Sequence, residues 1–361
     1  MSRLAILNSP PAPSQLGPAL ARTGAESLSH DAGQTRLIDA YGRRLTYLRV
    51  SVTDRCNLRC TYCLPEDADF PFGDRDFLSP TEIETMVGAL VRLGIRRVRL
   101  TGGEPLVRKD LLEIVRRLKA LPGLENLALS TNGTELARLA PALKAAGVDR
   151  VNISVDSLDP ARFREITRRG DLDEVWRGVE AALAAGMDPV KLNAVLLQSN
   201  RQDVERLAEL TLDRPLHVRF IEMMPTGTNQ AHLPGDLVSA DDAHARLEAR
   251  FGPLLPTEVG PRTGPAKAFR FAGAVGTVGF ITPLSHTFCA DCNRLRLTSR
   301  GELRLCLFAD RTYPLRPLLA ATDPGAALDA EILRVLQEKP AEHNLTQGDY
   351  GNLMSFMQIG G

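Results

Sequence analysis

The sequence predicts an α/β protein, a partial (β/α)6 barrel of the TIM type whose C-terminal region closes it. Three observations carry that expectation. Six short runs rich in β-branched and apolar residues recur between residues 45 and 223. Amphipathic, helix-patterned segments separate them, which is the signature of βα units around a parallel sheet. After about Pro225 the rhythm stops and a different pattern takes over. A doubly wound sheet is built from the same units, and the alternation separates the two arrangements only weakly.

The strand candidates, in order, are LTYLRVSV (45–52), RRVRLT (96–101), NLALS (126–130), RVNIS (150–154), VKLNAVL (190–196) and HVRFIEM (217–223). Among the intervening helices, SPTEIETMVGALVRLG opens on Ser79 and Pro80, both helix-start signals, and stops at Gly94. Beyond Pro225, a loop rich in Gly, Pro and Asn leads to a helix candidate, SADDAHARLEARFG. Hairpin-like runs follow around 268–283 and 293–305, and a last helix covers 325–340. The expected organisation is a flexible N-terminal extension (1–34), a barrel (35–225) and a C-terminal region (226–361).

Composition narrows the function. Lys+Arg and Asp+Glu both number 44, so the formal charge is zero and no global nucleic-acid or membrane footprint is expected. No stretch approaches the roughly eighteen apolar residues of a membrane helix. The N-terminus, rich in Pro, Ser and Ala, lacks the parts of a signal peptide. A cytoplasmic location follows, where grouped cysteines hold metal more often than disulfides.

All six cysteines fall into two groups of three: Cys56, Cys60 and Cys63 in CNLRCTYC, and Cys289, Cys292 and Cys306 in CADCNRLRLTSRGELRLC. Three thiolates are one short of a closed tetrahedral zinc site, and the first group has no histidine nearby. They suit a four-iron cluster whose fourth iron is left open to an outside ligand. That open iron is the chemical requirement of radical S-adenosylmethionine enzymes, and CxxxCxxC just after a strand is a specific signal for it. The second group is ambiguous on spacing alone. His286 lies three residues before Cys289, so a Cys₃His zinc site competes with a cluster.

In a parallel barrel the active site forms at the C-terminal ends of the strands. Strand one runs into the cysteine loop, strand two into TGGEP, strand three into STNG and strand four into SVDS. Gly102 and Gly103 would let backbone approach a ligand. Strand five carries Lys191 and Asn193, and strand six ends at Glu222, Met223 and Met224. Arg49 shares a strand face with Tyr47 and Ser51, a polar face that could look into the barrel, where a buried arginine needs an anion. Arg294 and Arg296 are two apart, so on a strand they point the same way, close to Cys292.

Together CNLRCTYC, TGGEPLVRKDL, LSTNG, VNISVDSLD, RFIEMM and FCADCNRLRLTSRGELRLCLF resemble the GTP 3′,8-cyclase family of molybdenum cofactor biosynthesis, from about Leu45 to Gly361. The resemblance implies two four-iron–four-sulfur clusters, one on Cys56, Cys60 and Cys63 and an auxiliary one on Cys289, Cys292 and Cys306. It implies S-adenosylmethionine contacts at Tyr62, Gly103, Ser154 and Met224. GTP contacts are implied at Arg49, Arg99, Ser130, Lys191, Arg294, Leu295 and Arg296. The three first-group cysteines, with Arg294 and Arg296, are its expected catalytic residues, and Gly360 and Gly361 match a double-glycine tail that reaches toward the site. A radical taken from the 3′ carbon of GTP would close a ring onto carbon 8. The implied partners are GTP, an electron donor such as a flavodoxin or ferredoxin, and cyclic pyranopterin monophosphate synthase as the next enzyme. Oligomeric state is left open, a homodimer among the options. Rival readings are a radical enzyme acting on peptide or RNA, and a zinc-stapled binding protein.

Overall fold

A computed structural model describes residues 36–70, 73, 76–225, 229, 233–257, 264–309, 311–343 and 345. The N-terminal extension and the glycine pair at 360–361 lie outside these residues. Six parallel strands form as the alternation predicts: β1 (Tyr47–Ser51), β2 (Arg97–Thr101), β3 (Asn126–Thr131), β4 (Arg150–Ser154), β5 (Val190–Leu196) and β6 (Leu216–Glu222). Each pairs with the next in register, Arg49 opposite Arg99 and Asn193 opposite Arg219, for example.

The C-terminal region extends this sheet at both edges. After β7 (Leu255–Pro256) and β8 (Lys267–Arg270), β9 (Thr277–Ile281) runs parallel to β6. On the far side β10 (Arg294–Leu297) runs parallel to β1, bringing Arg296 opposite Arg49. β11 (Glu302–Arg304) and β12 (Tyr313–Pro314) continue antiparallel beyond it. The described sheet therefore has twelve strands, in the order β12-β11-β10-β1-β2-β3-β4-β5-β6-β9-β8-β7. It does not close into a hydrogen-bonded ring, and the reason is local. The free edge of β10 is taken by β11 and that of β9 by β8, each from its own hairpin, so β9 and β10 have no edge left for one another.

The helices pack against one face of the sheet. In α1 (Pro80–Leu93), Ser79 and Glu82 form a reciprocal capping box, Pro80 occupies the first turn, and Gly94, at φ +133°, ends the helix. The other described barrel helices are α2 (Leu111–Lys119), α3 (Leu136–Ala146), α4 (Pro160–Thr167), α5 (Leu172–Ala184) and α6 (Val204–Asp213). They are followed by α7 (Ala240–Phe251) and α8 (Pro324–Leu336). Under them lie Leu48, Val50, Val98, Leu100, Leu127, Leu129, Val151 and Ile153, all fully buried. Each such side chain contributes about 1.5–3 kcal/mol.

The opposite face decides what the protein can bind. By strand alternation and register it carries Tyr47, Arg49, Arg99, Ser130, Arg150, Asn152, Lys191, Asn193, His217, Arg219, Arg294 and Arg296. A filled TIM barrel stacks branched apolar residues at its centre. Here the interior is polar and strongly cationic. On β6 the two faces differ in access, since Val218 and Phe220 are fully buried while His217, Arg219 and Ile221 keep partial exposure.

Candidate active site

The first cysteine loop begins five residues past β1 and is held from all sides. Cys63 and Leu64 donate their amides to the Cys60 carbonyl at 2.9 and 3.0 Å, closing one helical turn. Arg59 donates to the carbonyls of Cys56 and Leu58, both at 2.9 Å, and its guanidinium stacks 4.6 Å over the Phe70 ring. Arg168 reaches the carbonyls of Arg59 and Leu64 at 3.1 and 2.8 Å. On the opposite side, Asn132, just beyond β3, donates to Asn57 Oδ1 at 2.8 Å. Burial pushes the Cys56 thiol up to about 11 and Cys60 well above its usual range, so these thiols demand a strong cationic partner before they ionise.

The glycine pair serves this loop. Gly103 donates its amide to Thr53 O, and the Glu104 amide donates to Arg55 O, both at 2.8 Å. A Cβ on Gly102 would sit 2.4 Å from Thr53 O, and one on Gly103 2.3 Å from Arg55 O. The missing side chains thus let backbone approach backbone, where the sequence suggested approach to a ligand. Glu104 accepts from Leu106 N, Thr131 Oγ1 and Asn132 N at 3.0, 2.7 and 2.6 Å, and burial lifts its carboxyl to about 7. Replacing Gly103 by alanine is therefore expected to prevent incorporation of the first cluster's iron, measured per chain after reconstitution, because the Cys56 loop must move.

Tyr62 and Met224, distant in sequence, are joined by Asn229, whose amide donates to the carbonyls of both at 2.9 and 3.0 Å. The Tyr62 hydroxyl donates to Asp156 Oδ2 at 2.8 Å, and Asp156 Oδ1 accepts from Val195 N at 2.8 Å. Ser154 ends β4 on the interior face, in register with Asn193. Neither Asn229 nor Asp156 stood out as a site residue in the sequence. Only the shared position of SVDS on the rim pointed near the second. Glu222 holds the approach to the second cysteine loop, accepting from the amides of Leu284 and Ser285, both at 3.1 Å.

Below the rim the interior charges converge. Arg99 Nε donates to the Tyr47 hydroxyl at 2.5 Å, and Arg99 Nη1 to Ser130 Oγ at 3.4 Å. Burial pushes the Tyr47 phenol up, but Arg99, Arg49 and Arg294 outweigh it and leave it at about 8. Burial, followed by the positive charges of Arg219, Arg99 and Arg150, brings Lys191 down to about 6. Burial, then Arg99 among its neighbours, holds Arg219 at about 10. Burial, then Lys191 and Arg219, takes His217 to about 4. Arg150 Nε, Asn152 Oδ1 and Asn193 Oδ1 are buried without a hydrogen-bond partner among the described residues. Such a set of like charges and orphaned polar atoms fits a polyanion. Leu295 stands apart: its side chain is fully buried on the apolar face between Arg294 and Arg296, so only its backbone could face the interior.

In the second cysteine loop, Cys292 N donates to Cys289 O at 3.1 Å. Burial raises the Cys292 thiol, but Arg294 and Lys339 reverse this and leave it at about 7. Arg294 stacks 4.8 Å over the Phe288 ring. A cavity of about 310 Å³ adjoins Cys306, bounded by Phe308, Pro340 and His343 among others. His286 is turned away, its Nε2 3.3 Å from Asp241 Oδ1. None of the six cysteines forms a disulfide. No three described His, Cys, Asp or Glu side chains gather around a single metal-ion position.

Known protein families match two parts of the chain. Residues 50–211 match the Radical SAM superfamily, and residues 216–345 match Molybdenum Cofactor Synthesis C. The chain is 46% identical to the GTP 3′,8-cyclase of Pelotomaculum thermopropionicum, covering 90% of this chain and 99% of that protein. It is 48% identical to the enzyme of the same name from Heliobacterium modesticaldum, covering 90% of this chain and 100% of the other. Streptococcus suis SuiB bound to S-adenosylmethionine superposes with a TM-score of 0.54 at 12% identity, over 81% of this chain and 68% of SuiB, a likeness of fold alone. No described helix is long and apolar enough to cross a membrane.

Proposed function

The chain belongs to the GTP 3′,8-cyclase family of radical S-adenosylmethionine enzymes, and from that membership we infer which of its residues do the work. It converts GTP to 3′,8-cyclo-7,8-dihydro-GTP in molybdenum cofactor biosynthesis, using S-adenosylmethionine and two 4Fe–4S clusters. Cys56, Cys60 and Cys63 would hold the first cluster, which when bound supplies with S-adenosylmethionine the 5′-deoxyadenosyl radical for the 3′ carbon of GTP. Tyr62, Gly103, Ser154 and Met224 shape the cofactor's place on the rim. Cys289, Cys292 and Cys306 would hold the auxiliary cluster and present it to the guanine.

The single observation that carries the substrate assignment is the cationic barrel interior. Arg49, Arg99, Lys191, Arg294 and Arg296, joined by Arg150 and Arg219, bind the triphosphate, with Ser130 and Tyr47 aiming Arg99. Anchoring phosphates deep in the barrel directs the ribose toward the rim, where placement and exclusion of water guard a reactive radical. The clusters need reductant, and a flavodoxin or ferredoxin in the cytoplasm fits a chain whose thiols must stay reduced. Cyclic pyranopterin monophosphate synthase consumes the product.

The test is an anaerobic assay of the reconstituted protein with dithionite, S-adenosylmethionine and GTP, following 5′-deoxyadenosine and the cyclised nucleotide together. GTP-dependent formation of both is expected. Cleavage of S-adenosylmethionine without nucleotide conversion would overturn the substrate assignment.

A pH effect follows from Lys191. At about 6, it is largely neutral at pH 7 in the free enzyme, and a bound triphosphate restores its charge. GTP binding is then expected to take up as much as about one proton through this residue. Calorimetry in buffers of different ionisation enthalpy measures it, and Lys191→Met isolates the contribution. The stability sign is opposite to that of a salt-bridged lysine. Its folded value lies below the unfolded 10.5, so between about 6 and 10.5 the unfolded chain binds the extra proton and Lys191 makes stability rise with pH.

A further inference from the structure

Two buried cations support the second cysteine loop from behind. Lys339, just past α8, is 3% exposed. Its ammonium donates to the backbone carbonyls of Arg294, at 3.2 Å, and of Leu305. Those two residues lie two positions after Cys292 and one before Cys306. Burial pulls the ammonium below its usual range, opposed by the thiols of Cys292 and Cys306 and assisted by Arg43 and Arg294, and among the described residues no carboxylate pairs with it.

Arg43 holds this ammonium in place. It is 9% exposed, and its Nε lies 2.6 Å from Asp39 Oδ2, which neutralises it locally. Its Nη1 donates to Cys289 O at 2.8 Å and Ala341 O at 2.7 Å, and its Nη2 to Pro340 O at 2.6 Å. One guanidinium thus ties the first cysteine of the loop to the segment that carries Lys339. Of the two cations, only Lys339 leaves an unneutralised charge beside the thiols.

We propose that Lys339 is a positioning residue of the auxiliary cluster, a buried counter-charge that orders the backbone around Cys292 and Cys306 and favours the reduced state of the cluster. The inference rests on the assignment of that cluster to Cys289, Cys292 and Cys306. Net charge and hydrogen bonding around a cluster set its potential, and in a low-dielectric site a neighbouring ammonium makes an added electron easier to accept. Removing it also takes a donor from the part-buried Arg294 carbonyl and the buried Leu305 carbonyl.

The test is an anaerobic redox titration of the full-length enzyme carrying both clusters, followed by electron paramagnetic resonance. The first cluster's signal is identified by its response to S-adenosylmethionine and serves as an internal control. In Lys339→Met the auxiliary midpoint is expected to fall. At the wild-type midpoint, the ratio of reduced to oxidised auxiliary cluster should drop about tenfold, ~59 mV for a one-electron couple. The first cluster should stay where it was, and Lys339→Arg should remain close to wild type. Loss of auxiliary iron in Lys339→Met but not in Lys339→Arg would support the same role. An unmoved auxiliary midpoint in Lys339→Met, equal shifts in both clusters, or equal damage from methionine and arginine would each overturn it. A wild-type chain showing only one cluster signal would instead sink the underlying cysteine assignment.

Discussion

Replacing Cys60 by alanine is expected to cut 5′-deoxyadenosine formation to below about a thousandth of the wild-type rate, a barrier rise of roughly 4 kcal/mol or more. The chemistry depends on electron transfer from a cluster held by three thiolates, and a two-thiolate site does not hold it in the same way. The substitution should leave the loop itself standing. Its helical turn is closed by amides of Cys63 and Leu64 on the Cys60 carbonyl, a main-chain group that alanine retains. The loop's outer ties, Arg59 to the Cys56 carbonyl and Arg168 to the Leu64 carbonyl, do not involve the Cys60 sulfur. The variant should therefore melt near wild type as apoprotein and keep roughly half its iron, on the second group of thiols. That remaining signal should not respond to S-adenosylmethionine. Full cleavage activity in this variant would exclude Cys60 from the first cluster.

The strands were legible because one face of each is apolar and lies under helices, and that requirement writes β-branched and leucine residues at every second position. The cap of α1 was legible for a related reason, since Ser79, Pro80 and Gly94 act within their own turn. What the sequence could not show was contact made at long range. β9 and β10 are five and four residues long, and nothing local says that one pairs with β6 and the other with β1. The open edges have the same origin, because closure was decided by which hairpins β9 and β10 already belonged to. His286 shows the limit of spacing as evidence: three residues from Cys289, its side chain pairs with Asp241 on α7. Asn229 was invisible because its role is to bridge two carbonyls, a task that leaves no mark on composition.

Arg150 and Arg219 are a different kind of omission, since their signal was present. In HVRFI the charged and apolar residues alternate, and Val218 and Phe220 had to face the helices, so Arg219 had to face the interior. The same parity turns Arg150 inward, two residues before Asn152. Single-residue resemblance drew attention to matching positions. The barrel's own alternation defines the whole charged wall, and that wall makes the second large prediction.

Substituting Arg219 by leucine is expected to raise the KM for GTP by roughly 10–100-fold while making the apoprotein more stable. The first effect follows from losing one charge-assisted contact to a phosphate, ~1.5–3 kcal/mol. The second follows from what Arg219 endures in the absence of substrate. Burial holds it at about 10, and Arg99 and Arg150 repel it. Leucine fills similar space on the wall without charge, so the repulsion is relieved and no large cavity is left. At saturating GTP, formation of 5′-deoxyadenosine should approach the wild-type rate, because Arg219 sits mid-strand, three residues before the rim end of β6. Two measurements separate the outcomes, the KM for GTP and the melting temperature with and without nucleotide. The wild type should gain more from added GTP than the variant does, narrowing or reversing the difference between them. An unchanged KM would remove Arg219 from the phosphate site. A variant less stable than wild type without nucleotide would mean that the guanidinium is compensated within the free protein, and that the cationic interior is a structural network before it is a binding one.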